Sequence, residues 1–122
     1  MKLQKLVYYS QAWSLVWDEQ PLFSEEIEAW ANGPVCPALY ALHRGEFEVS
    51  AWKTGNAAAL TPSENETVDA VLAFYGDKPT QWLSDLTHSE APWHDARRGL
   101  GPGVRGSSEI SLAAMAEYYG SL

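Results

Sequence analysis

A chain of 122 residues, 46% hydrophobic and 12% aromatic, suits one domain with a true core and is too aromatic to be disordered. Its 16 acids against 8 lysines and arginines give a net charge of −8, which disfavours direct nucleic-acid binding through phosphates. No run reaches the ~20 apolar residues of a membrane span, and the lone Cys36 can form no internal disulfide.

The N-terminus places Lys2 and Lys5 before apolar residues, the outline of a signal peptide. Gln4, Ser10, Gln11 and Ser14 interrupt that run, and Asp18, Glu19 and Gln20 stand where a small-residue cleavage site would fall. A helix from about Leu3 to Trp17 is predicted instead, and with it a cytoplasmic protein with no membrane contact. Leu3, Leu6, Val7, Ser10, Trp13, Ser14 and Trp17 follow helical spacing, while Tyr8, Tyr9, Leu15 and Val16 make a second apolar side. One side must face the core. The other, with Tyr8 and Tyr9, is either covered or open to a partner.

Asp18, Glu19, Glu25, Glu26 and Glu28 fall in one window without a base. They read as a solvated face or as a docking surface for a basic protein. Pro21 fixes a turn. Ser24 to Ala31 reads either as a capped short helix or, by the alternation of Ile27, Ala29 and Ala31, as an extended segment, which we favour. Asn32-Gly33-Pro34 is a turn signal, and Pro37 opens a short helix to His43. Phe47 and Val49 suit a small strand, and Lys53 to Thr61 a loop.

Ser63 and Glu66 are spaced as a capping box for a helix carrying Val68, Val71, Leu72 and Tyr75. Thr80 is placed to cap the next, with Trp82, Leu83 and Leu86 inward. Thr87 and Glu90 suit a further capping box, before a short helix over Pro92 to Arg98. Leu100 to Gly106 reads as a glycine-rich loop, and Ser108 as the cap of a last helix with Leu112, Met115, Ala116 and Tyr119. The predicted fold is mainly α, a compact single-domain helical bundle over residues 1–122 with at most a small two-stranded β element.

His88, Glu90, His94 and Asp95 form the most enzyme-like cluster. A small hydrolase or nuclease would use His88, His94 and Asp95. The spacing matches no strong metal motif, and Pro92 separates the two histidines by a turn. A structural role for His88 near that turn is expected, with no catalytic residue, metal or cofactor. Cys36 reads as a buried structural thiol. Of the six tryptophans, most are expected in the core.

Three strings in fixed order carry a family resemblance. Lys2 to Tyr9 matches a KLQKLLYY-like string. Ala29, Trp30, Gly33, Pro34 and Val35 match A-W-x-x-G-P-V, with Tyr40 after it. Leu86, Thr87, His88, Pro92 and Trp93 match L-T-H-x-x-x-P-W. The chain resembles the Panacea antitoxin domain, the family of SocA-like antitoxins and many phage-associated proteins. The resemblance implies a non-enzymatic antitoxin that binds a cognate protein toxin, expected to be basic. It also allows a proteolytic adaptor that engages a protease complex, or a phage-encoded inhibitor. Relatives carry a further helix before the first string, so a version lacking it is expected. Trp30, Gly33, Pro34, Tyr40, Thr87, His88, Pro92 and Trp93 are the expected structural motif. Tyr8, Tyr9, Glu25, Glu26 and Glu28 are the candidate partner-binding residues.

Overall fold

The computed structural model describes residues 2–43, 61–98, 100 and 104–122. Six helices and a small antiparallel sheet make up this part: α1 (Lys2–Trp17), β1 (Ile27–Trp30), β2 (Gly33–Val35), α2 (Pro37–His43), α3 (Pro62–Tyr75), α4 (Thr80–Ser89), α5 (Ala91–Ala96), β3 (Glu109–Ile110) and α6 (Leu112–Gly120). The mainly helical expectation holds, but the sheet has three strands in the order β2-β1-β3. The strand missed from sequence is β3, which pairs Ile110 with Ile27 and Glu109 with Glu28. Two residues are too short a run to show period-two alternation.

Helix α1 is central and packs on α3, α4, α6 and β2. A helix surrounded in this way must be compatible with the interior on several sides. Tyr8, Tyr9 and Ala12 lie in the core with Ile27, Ala29, Val71, Tyr75, Leu83, Ile110, Met115 and Tyr119. The Tyr8–Tyr9 side is therefore not an open aromatic strip: the two residues are 1% and 0% exposed. The exposed aromatic of α1 is Trp17, at the end of the stripe expected to face inward.

The polar residues of α1 anchor neighbouring segments. Gln4 accepts from Cys36 N at 2.9 Å through Oε1 and donates through Nε2 to Cys36 O at 3.4 Å, imitating a backbone partner where β2 meets α2. Gln11 Oε1 accepts from Leu22 N at 2.7 Å, and its Nε2 donates to Phe23 O at 3.0 Å. Ser14 Oγ donates to Gln20 O at 2.8 Å. Buried amides and hydroxyls are tolerated because each is hydrogen-bonded.

Several helix starts differ from expectation. The capping box of α3 is Thr61 with Glu64, not Ser63 with Glu66: Glu64 N donates to Thr61 Oγ1, and Thr61 N to Glu64 Oε1. Pro62 suits the first helical position and so makes Thr61 the cap. Pro79 precedes α4 and Thr80 lies inside it. Trp82 is 42% exposed rather than inward. Thr87 also lies inside α4 and donates to Ser84 O at 2.9 Å, so it caps nothing. Ser111, not Ser108, caps α6 through a bond from Ala114 N. Ser108 instead accepts from Ala29 N at 2.8 Å, extending the β1–β3 pairing. The predicted strand at Phe47 and Val49, and the predicted loop up to Thr61, lie outside the described residues.

Candidate partner-binding surface

The three sequence strings meet at one place. Trp93 Nε1 on α5 donates to Trp30 O at the end of β1 at 2.9 Å. The rings of Trp30 and Tyr40 meet edge to face at 5.0 Å, which ties β1 to α2. Gly33, at the start of β2, has φ +134°, a region that L side chains rarely adopt. A Cβ built on Gly33 would lie 3.5 Å from Lys5 Nζ and 3.6 Å from Thr87 Oγ1. The turn thus touches the first and third strings at once. Pro34 pairs with Ala29 on the outer strand of the sheet, where its missing N–H costs no ladder bond. Pro92 begins α5 within its first turn.

His88 stacks on Trp93 with centroids 4.1 Å apart and planes 11° from parallel. Burial lowers its pKa, and a nearby backbone group of Asn32 raises it by less. The backbone group beside the His88 ring is that of Asn32 in the β1–β2 turn, not one of the Thr87–Pro92 turn expected from the sequence. Arg97 lies over Trp93, 5.2 Å from the ring centroid, and donates to Ala29 O at 3.1 Å and to Val104 O. His94 and Asp95 are 74% and 62% exposed and meet each other at 3.4 Å. The residues of the enzyme reading therefore divide between a half-buried stack and open surface. Among the described residues no group of three or more His, Cys, Asp or Glu is placed to hold a metal ion.

The acidic window divides as well. Asp18 Oδ2 accepts from Thr67 Oγ1 at 2.8 Å and links α1 to α3. Glu28 Oε1 accepts from Trp30 Nε1 at 2.9 Å along the same face of β1. Glu28 also lies directly across from Glu109 on β3. The neighbouring Glu109 carboxyl raises the pKa of Glu26. Glu109 was missed from sequence because only the β1–β3 register brings it to the other acids. Glu25, Glu26 and Glu109 border a small groove of about 250 Å³ with Gln11, Leu112 and Met115. A larger groove of about 610 Å³ is lined by Trp30, Asn32, Val35, Tyr40, Arg105 and Gly106.

A second cluster, also missed, lies inside. Glu90 Oε1 accepts from Tyr9 Oη at 2.6 Å and from Tyr119 Oη at 2.8 Å. With its proton committed to Glu90, Tyr119 accepts from Tyr8 Oη at 2.9 Å. Tyr9 stacks on Tyr75 at 4.2 Å, and Tyr75 Oη accepts from Trp13 Nε1 at 3.1 Å. Burial pushes Glu90 above the ordinary carboxylate range, while its two tyrosine donors oppose the shift. Burial likewise raises Tyr8, Tyr9 and Tyr119. Tyr8 and Tyr9 thus join α1 to α5 and α6, in place of the partner contact expected for them.

The arrangement is that of a mainly helical domain with grooved, unevenly charged surfaces. The profile of the family described as antitoxin SocA-like, Panacea domain, matches residues 3–94. The chain belongs to this family. No characterised protein and no solved structure compared with the chain matches it. No helix among the described residues is long and apolar enough to cross a membrane.

Proposed function

We propose that this chain is the antitoxin of a toxin–antitoxin pair and neutralises a protein toxin by direct contact, without catalysis. The observation that carries this reading is the family match over residues 3–94. Its partner surface is the acidic rim of the sheet, formed by Glu25, Glu26 and Glu28 and extended by Glu109. Like charges directly across a strand pair oppose folding, and Glu28 faces Glu109 in register. A basic partner relieves that repulsion on docking, and the acids speed encounter at low salt. The toxin is accordingly basic at the surface it presents. Tyr8 and Tyr9 support binding only by holding α1 in place.

The test is co-expression with the product of the adjacent gene. An antitoxin restores growth when that product is toxic, and the two proteins purify together. Growth arrest that persists at excess of this chain overturns the reading.

A further inference from the structure

Three surface grooves differ in charge. One between α5 and α6, of about 330 Å³, is bordered by Asp95 and Glu117. The one beside β3 is bordered by Glu25, Glu26 and Glu109. The largest of the three, of about 610 Å³ beside the β1–β2 turn, has no acid in its lining and one cation, Arg105. In a chain with 16 acids against 8 lysines and arginines, that reverses the general balance. Its volume is within the roughly 300–1,000 Å³ of sites that hold a ligand.

Both walls of this groove are fixed by bonds within the domain. On one side the Trp30 ring meets Tyr40 edge to face at 5.0 Å, and its Nε1 donates to Glu28 at 2.9 Å. Trp30 O is held by Trp93 Nε1. The indole N–H is thus committed, and this wall offers ring surface with Val35 beside it; Glu28 does not line the groove. On the other side residues 104–108 form a strap without regular structure, tied at both ends to one residue of β1. Ser108 O accepts from Ala29 N at 2.8 Å, and Arg97 donates to both Ala29 O and Val104 O. Gly106 lets the strap pass close by: a Cβ there would lie 3.2 Å from Arg97 Nη1 and 2.5 Å from Leu100 Cδ1. Arg105 therefore sits on a backbone pinned to either side of it. Its side chain is exposed and makes no ion pair with a described residue.

An apolar wall and a cation in one groove select a ligand with both characters. We propose that this groove takes an acidic segment of the partner protein, with an apolar side chain on the Trp30–Tyr40 wall and a neighbouring carboxylate on Arg105. The rings supply buried apolar area. The guanidinium donates two parallel N–H bonds to a carboxylate, a geometry that a neutral side chain does not match as strongly. Asn32 and Ser107, which also line the groove, carry donors and acceptors for the peptide groups of the segment. A basic segment finds no acid in the lining and meets Arg105 as a like charge. That the segment belongs to a toxin rests on the antitoxin reading above; the choice of an acidic segment does not. With both in place, the toxin's basic face meets the acidic rim while its acidic segment meets Arg105, and this fixes the orientation of docking.

The test titrates the full chain with three blocked dipeptides, acetyl-Leu-Glu-amide, acetyl-Leu-Gln-amide and acetyl-Leu-Lys-amide, and follows assigned resonances by NMR. The Glu peptide is expected to shift Trp30, Tyr40 and Gly106 saturably and to bind about fivefold tighter than the Gln peptide at low salt. The Lys peptide is expected to bind more weakly than either. Acetyl-Ala-Glu-amide is expected to bind at least about threefold more weakly than its Leu counterpart. Arg105→Gln is expected to bind the Glu and Gln peptides alike. Should that variant fail to fold, the wild type decides by salt: the preference for Glu is expected to fade at high ionic strength. No saturable shift at Trp30, Tyr40 and Gly106, or shifts confined to other residues, overturns the groove. Equal binding of the Glu and Gln peptides, or a preference for Glu that survives Arg105→Gln or high salt, overturns the role of Arg105. N-acetyl-leucine that binds as tightly as the Glu peptide overturns the assignment to a protein segment. Growth rescue by co-expression does not enter this experiment, so the groove and the antitoxin reading fail separately.

Discussion

Glu90 and Glu26 both ionise less readily than ordinary carboxylates, for opposite reasons. Glu90 is buried where α4 gives way to α5, and removal from water is what raises its pKa. Glu26 is at the surface, and the nearby Glu109 carboxyl is what raises it. The interior carboxylate is surrounded by donors: Tyr9 and Tyr119 bond it directly, and Tyr8 backs Tyr119. At the rim Glu25 accepts from Ser24 and Glu28 from Trp30, while Glu26 lies beside the Glu109 carboxyl. A buried acid whose Oε1 takes two tyrosine hydroxyls from different helices is a structural joint. A cluster of surface acids left facing each other is a surface with unspent attraction for a cation.

The strongest way to break this comparison is to remove the joint. Glu90→Leu strands two buried tyrosine hydroxyls and is expected to destabilise the fold by about 2–4 kcal/mol in urea unfolding. A loss below about 1 kcal/mol would mean that the hydroxyls find other partners. Next in size is Gly33→Val. The φ of +134° and the contact with Lys5 and Thr87 predict a loss of about 1–3 kcal/mol. An unchanged melting temperature would show that the turn relaxes at no cost.

The pH dependence sharpens the comparison. A carboxylate whose folded pKa is raised binds its proton more tightly in the folded state. The stability it contributes is full below the unfolded value of 4.5 and is lost as pH rises through the folded value. Glu90→Gln keeps an acceptor for both tyrosines and removes the titration. Its stability relative to wild type is therefore expected to improve as pH rises above 4.5, and parallel profiles for the two proteins would contradict this. The smallest effect on the fold comes at the rim. Reversing Glu25, Glu26 and Glu28 to Lys is expected to leave the urea midpoint near wild type. It slows association with a cognate basic toxin and flattens the salt dependence of that rate. Stopped-flow association at low and high salt checks this, and rates indifferent to the reversal would remove the rim from the interface.

Much of the fold was legible in the chain because its signals are local. Helical spacing marked α1 nearly to its ends, and Pro37 marked the start of α2. The alternation of Ile27 and Ala29 marked β1, and the Asn-Gly-Pro string marked the turn before β2. Helix caps were less legible. Several Ser and Thr residues compete near each start, and the choice follows from what the preceding segment is already bonded to. The backbone carbonyl of Ser108 pairs with Ala29 N and holds Ser108 in the extended segment before β3, so α6 starts later and Ser111 stands at its cap.

The amino-acid sequence by itself determined the mainly helical class, the acidic charge, and the three strings that place the chain in its family, since these depend on residue identity and short spacing. The tertiary structure alone decided which side of α1 is buried, because a helix apolar on several sides carries no label for its core face. It decided that Glu109 joins Glu26 and Glu28, through a two-residue strand far along the chain. It also brought Glu90 to Tyr9 and Tyr119, and Lys5 to Gly33 and Thr87. These meetings follow from how α1 sits among α3, α4, α6 and the sheet, and no local pattern of residues encodes that packing.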